Sequence, residues 1–401
     1  MMKKMGILEL VCCNSGLFIF LCLYCLPGSK GHPMAETPSA AGARESTLSP
    51  TKELILYALA IGTFILLGIC FLYRAIRSRR CVRKPPEPTA YQIQFEAHEL
   101  SVAARGYHKD YLIGFTDWAS VFKAVLPDGL VVAIKRLNLN NSEEANQRFL
   151  EVCIALTQVR HCNLVGVLGF SVSSQYKYIV TEYVDCPNLE QLLHDNCNLS
   201  WETRLKIAHG TARALVYMHE ECRVNSDSPL VHGNIKPSNI FVDIEEQEPI
   251  LSDYGITSLI ENFSGSSCAF QGLCGYAAPE CLRSEAVTEK SDVYSYGIVL
   301  LQLLTLKQPS SEDVSGNLSE WIRNKIIHSY EGVLDPAIFS DATESRKKKI
   351  KKVLGLALMC TRDNPQRRPS MKEVVESLIQ MKSFDAQRNS VAAPVFGIDN
   401  V

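Results

Sequence analysis

Four stretches of the chain carry side chains able to do chemistry. Val132-Ala133-Ile134-Lys135 sets a lysine in an apolar run, and Glu151 stands within Arg148-Phe149-Leu150-Glu151-Val152. Val231-His232-Gly233-Asn234-Ile235-Lys236-Pro237-Ser238-Asn239-Ile240 gathers an imidazole, two amides and a lysine, and Asp253-Tyr254-Gly255 adds a carboxylate. By type, ammonium groups suit anionic oxygens, while amide and carboxylate oxygens suit hard divalent cations. No stretch is diagnostic by itself: a lysine and a glutamate sixteen residues apart, as Lys135 and Glu151 are, are ordinarily solvated surface charges. The ten cysteines beyond residue 73 form no paired CxxC spacing, so no zinc site is read. With 41 basic against 43 acidic residues and a net charge of -2, the chain lacks the electrostatic footprint of a nucleic-acid binder.

The elements that must position these residues follow from the apolar pattern. A β-rich stretch from Tyr111 to Ala124 and another from Leu130 to Leu137 flank the turn Pro127-Asp128-Gly129, and two strands in a hairpin are the simplest reading. Phe149, Leu150, Val152, Cys153, Leu156 and Val159 recur at helical spacing from Ser142 to Val159, with Ser142 or Asn141 as the cap. Asn163 to Phe170 and Tyr176 to Val184 read as strands. Trp201 to Glu220, Ser291 to Thr305, Leu318 to His328, Lys348 to Arg362 and Met371 to Met381 read as helices. A small β-rich lobe followed by a large helical lobe is an α+β plan with a cleft between.

The ordered series of motifs resembles the protein kinase family, in its plant receptor-like (RLK/Pelle) form. Arg160-His161-Cys162-Asn163-Leu164-Val165, Thr203-Arg204-Leu205-Lys206-Ile207-Ala208, Glu182-Tyr183-Val184 behind Thr181, and Cys360-Thr361 carry the receptor-like flavour over residues 95–384. The resemblance implies a bilobal fold and a cofactor pair of ATP and Mg²⁺. It implies that Lys135 touches the α and β phosphates and pairs with Glu151, with Gly114, Val121, Ala133, Glu182 and Val184 lining the ATP site. Lys236 would steady the transferring phosphate, and Asn239 and Asp253 would hold metal. Ala278-Pro279-Glu280 ends the activation segment, Glu280 is expected to pair with Arg368, and Asp292 to brace the catalytic loop.

Against that family several positions depart. Asn234 replaces the aspartate that accepts the substrate proton, and Gly233 replaces the neighbouring arginine. Tyr254 replaces phenylalanine. In the phosphate loop only Gly114 survives of G-x-G-x-x-G, Thr116 and Ala119 occupying the other positions. Glycine serves there because its backbone approaches phosphate closely, which a β-branched residue or an added methyl group hinders. Leu273 removes the hydroxyl that supports the catalytic aspartate and lysine. A general base contributes about 10² to 10⁴ in rate, so a severe loss is expected. The reading is a pseudokinase acting as scaffold or co-receptor; the alternative is a low-activity Ser/Thr kinase transferring the γ-phosphate to protein hydroxyls.

Residues 1–29, with Lys3, Lys4, an apolar run from Leu17 to Leu26 and then Pro27-Gly28-Ser29, read as a signal peptide, or else as a short anchor that is retained. Residues 30–53 form a short extracellular segment too poor in apolar mass to fold. The uncharged run 54–73 has the length of a membrane-spanning helix. Arg74, Arg77, Arg79, Arg80, Arg83 and Lys84 then place its C-terminal side in the cytoplasm. Residues 74–105 read as a basic juxtamembrane linker, 106–383 as the kinase-like domain, and 384–401 as a tail. Expected partners are other membrane receptor kinases or receptor-like proteins and cytoplasmic signalling proteins, at the plasma membrane.

Overall fold

The computed structural model describes residues 94–389, apart from 117–118, 140, 195–198, 225–227, 258, 260–274, 284–286, 311–313 and 315–316, with side chains as far as Met381; before residue 94 only 62, 63 and 68 are described. The signal, the extracellular segment, most of the run 54–73, most of the linker, most of the tail and Leu273 therefore lie outside the described residues. Among the described residues no helix is long and apolar enough to cross a membrane.

The chain enters the small lobe through α1 (Ala97–Ala103). Leu112–Thr116 (β1), Ala119–Val125 (β2) and Val131–Leu137 (β3) come next, then α2 (Glu143–Leu156), Val167–Val172 (β4) and Lys177–Glu182 (β5). The five strands make one antiparallel sheet in the order β1-β2-β3-β5-β4. Alternation divides its faces. Phe122, Ala124, Val132, Ile134 and Val180 pack on one side with Leu100 and Ala104, which α1 and its end supply. Leu137 and Ile179 turn to the other side, against Phe149, Val152, Cys153 and Leu156 of α2.

Two expectations change here. The stretch 111–124 is two strands, because Thr116 and Ala119 are antiparallel partners and the Ala119 N–H donates to Thr116 Oγ1 at 3.1 Å. The end of the segment read as linker is a helix whose Leu100 is wholly buried, so it belongs to the folded lobe. Ser142 does cap α2, its Oγ accepting from Ala145 N at 3.2 Å. The next strand begins at Val167, later than its apolar run, because Asn163 is buried in a turn with its amide bonded to the Pro249 carbonyl at 2.8 Å.

The large lobe is helical: α3 (Leu189–His194), α4 (Trp201–Glu220), α5 (Pro279–Leu282), α6 (Glu289–Thr305), α7 (Leu318–Ile326), α8 (Pro336–Phe339), α9 (Glu344–Cys360) and α10 (Met371–Asn389). A short antiparallel pair, β6 (Ile240–Val242) and β7 (Pro249–Leu251), comes after α4. Every residue of α6 from Ser291 to Thr305 is buried, so it is the central helix of the lobe.

Candidate functional site

Strand register assembles the roof of the site. Gly114, Val121, Lys135 and Ile179 stand in one cross-strand row, and Ala133 beside Thr181 in another two residues along, on the same face of the sheet. Lys135 is 7% exposed. Glu182 ends β5, its side chain accepting from Gly166 N at 3.1 Å, and Val184 lies just beyond, half-buried.

The floor hangs from α6. Asp292 accepts from His232 N and Gly233 N, each at 2.8 Å, and its Oδ2 lies 2.9 Å from His219 Nε2. One buried carboxylate thus fixes the backbone at the start of the loop. His232 in turn is fully buried and accepts from Asn234 N at 3.1 Å through Nδ1; burial holds its pKa below the ordinary imidazole range. Asn239 Nδ2 donates to the Asn234 carbonyl at 2.8 Å, which folds the loop back on itself. Asp253 lies past β7 in the left-handed region, at φ 64, a conformation that aspartate tolerates better than most residues.

The decisive geometry concerns Lys135. Its Nζ lies 2.5 Å from Asp253 Oδ1. Glu151, the expected partner, faces solvent and, among the described residues, accepts only from Gln147 Nε2, at 3.3 Å. The cause is helical phase. Ala145, Phe149, Val152, Cys153 and Leu156 define the buried face of α2, and at 100° per residue Glu151 sits roughly 140° away from its centre. Val152 turns inward where a carboxylate would have to be. The pairing of Lys135 with Glu151 is therefore corrected, and the signal was already in the i, i+4, i+7 spacing.

The phosphate loop shows a second departure. Thr116 Oγ1 occupies the Ala119 N–H, so that amide is already bonded within the protein rather than offered to a ligand. A Cβ added at Gly114 would meet Val121 at 3.8 Å, an ordinary contact, so packing does not require glycine there. Tyr254, in place of the family's phenylalanine, adds a bond: its buried hydroxyl donates to the Val165 carbonyl at 2.6 Å, and burial drives its pKa well up. Lys236 is half-buried, and burial lowers its pKa while Asp253 and Glu190 raise it and Lys135 lowers it.

Away from the cleft, Arg368 grips Glu280 through two nitrogens, at 2.5 and 2.8 Å, with both residues buried. His219, absent from the expected set, belongs to the Asp292 cluster; its position in the last turn of α4 gave no local signal. Tested for Mg²⁺, the residues fit in part: Asn239 donates its amide nitrogen to Asn234 and keeps its oxygen for a metal, whereas Asp253 is already charge-matched by Lys135.

Residues 107–378 match the protein kinase domain family. The chain belongs to the protein kinase family. Its curated relatives are plant receptor-like kinases. A probable leucine-rich repeat receptor-like protein kinase of Arabidopsis thaliana is 31% identical over 381 residues, covering 91% of this chain but 34% of the relative. Wall-associated receptor kinase-like 20 of the same plant is 35% identical over 300 residues, 71% of this chain and 45% of the relative. This kinase-fold chain thus spans about a third to a half of the length of such relatives. Among solved structures, the pseudokinase domain of BIR2, an immune regulator of the RLK/Pelle family, superposes with a TM-score of 0.58 at 28% identity, covering 80% of this chain and 97% of that one. The maize SIRK1 kinase domain bound to AMP-PNP gives 0.59 at 28% identity, covering 72% and 96%.

Proposed function

We propose that this chain is a membrane-anchored receptor-like pseudokinase that holds ATP weakly and signals as a scaffold or co-receptor, with little or no phosphoryl transfer. The observation that carries the reading is the engagement of Lys135 by Asp253 while Glu151 faces solvent. It joins the amide at Asn234 and the occupied loop amide at Ala119. Phosphoryl transfer depends on positioning and charge stabilisation, so several misplaced groups compound one another. The receptor-like kind of its relatives and the apolar run 54–73 support a place at the plasma membrane beside other receptor kinases.

A second reading, a low-activity Ser/Thr kinase, is favoured by the survival of Lys236, Asn239 and Asp253 together. Incubating the purified chain with radiolabelled MgATP separates the two. The pseudokinase reading expects incorporation no higher than in Lys135→Ala, and an Asn234→Asp variant that stays near background because Lys135 still lacks its helix partner. Phosphate incorporation by the parent that disappears in Lys135→Ala would establish the kinase instead. Co-purification from membranes tests the co-receptor half: recovery of monomer alone would count against it.

A further inference from the structure

We propose that the cleft binds an adenine nucleotide through Lys135 and Lys236 without requiring a divalent cation. The inference rests on the proposed function's premise that the cleft keeps a nucleotide site, and it specifies how that site handles charge. A phosphate chain is polyanionic, and a site rich in carboxylates accepts it only when metal ions intervene. Here two of the three carboxylates that the family places around the phosphates are missing from the cleft. Position 234 carries a neutral amide, and the carboxylate of Glu151 points to solvent from the far side of α2.

Among the described residues, the ammonium groups of Lys135 and Lys236 then act on the carboxylate of Asp253. The two lysines and Asp253 are close enough to perturb one another, since Lys236 feels both Asp253 and Lys135 through space. Glu190, on the first turn of α3, is the remaining acid acting on Lys236, and it is exposed. An ammonium has three donors, so Lys135 can keep Asp253 at 2.5 Å and still donate to a phosphate oxygen. Asp253 then stays neutralised inside the protein and needs no second cation. The local balance favours an anion as the cleft stands.

The test uses the full-length chain in detergent micelles, titrated with a fluorescent ATP analogue in excess magnesium and again in excess EDTA. The expected dissociation constants agree within about threefold. Binding about tenfold or more tighter with magnesium overturns the proposal. Absence of binding in both conditions also overturns it, together with the weak hold on ATP, while leaving the scaffold role, which phosphate transfer or the recovery of monomer alone from membranes would remove. Asp253→Asn is expected to hold or gain affinity in EDTA by freeing Lys135, whereas a metal-ligating aspartate would lose it. Asn234→Asp, which restores a carboxylate, is expected to weaken binding in EDTA by about tenfold and to recover with magnesium. Thermal unfolding of each variant reports whether it is folded, and loss of EDTA binding in a folded Asp253→Asn counts against the proposal.

Discussion

Asn234 is not an isolated departure from the family pattern, because its neighbour departs as well. Gly233 sits at φ +72, and a Cβ there would meet Thr257 Cβ and Oγ1 at 2.8 Å. Restoring the family's arginine is therefore expected to destabilise the fold. Gly233→Arg should cost about 1–3 kcal/mol in urea unfolding, with Gly233→Ala showing most of the loss. Tyr254 is the opposite kind of change, a phenylalanine position that gained an anchor on the Val165 carbonyl. Tyr254→Phe should cost about 1 kcal/mol, measured in the same way. Acid sensitivity has a source in His161, which stacks on Tyr217 with ring centroids 5.1 Å apart and accepts from Asn163 N. Burial, and then the Arg213 guanidinium, lower its pKa to about 4. The folded state thus rejects a proton that the unfolded chain accepts near pH 6.5. Its contribution is complete above that pH and drains away as pH falls toward 4. His161→Asn is expected to flatten the acid limb of stability plotted against pH.

At the scale of elements, α1 and α2 show where sequence reading succeeds and fails. Strand alternation and helix period located the sheet, α2 and the long helices of the large lobe, since each buries a continuous apolar face. The limits of Trp201–Glu220 were legible from the 3.6-residue period, and Ser200 caps the helix, accepting from Thr203 N at 3.1 Å. The motif positions in the cleft were legible as residue types, and the register of β2, β3 and β5 does bring Val121, Ala133 and Lys135 to one face. The partner of Lys135 was misread because motif spacing was given more weight than the phase of the helix carrying Glu151. The segment Ala97–Ala103 was missed because seven residues with a single fully buried side chain give no period. Leu100→Ala is expected to cost about 2–5 kcal/mol, and the same substitution in a true linker would cost nothing measurable by thermal unfolding.

For the molecule as a whole, the bonds that brace the loop and the large lobe are made as the family resemblance implies, whereas position 234 carries an amide and Glu151 faces solvent. Asp292 collects three donors from the loop and α4, and Arg368 holds Glu280 beside the start of α5. Asp292→Ala should cost about 3 kcal/mol or more, because it strands buried donors, and Arg368→Ala should cost comparably. Neither effect is expected to depend on nucleotide. The proposed loss of phosphoryl transfer rests on one exchange of partner, Asp253 in place of Glu151 beside Lys135. Double-mutant cycles by urea unfolding test that exchange, with Lys135→Met combined in turn with Asp253→Asn and with Glu151→Gln. The predicted coupling is about 1 kcal/mol for Lys135 with Asp253 and within about 0.3 kcal/mol of zero for Lys135 with Glu151. A strong coupling to Glu151 and none to Asp253 would contradict it.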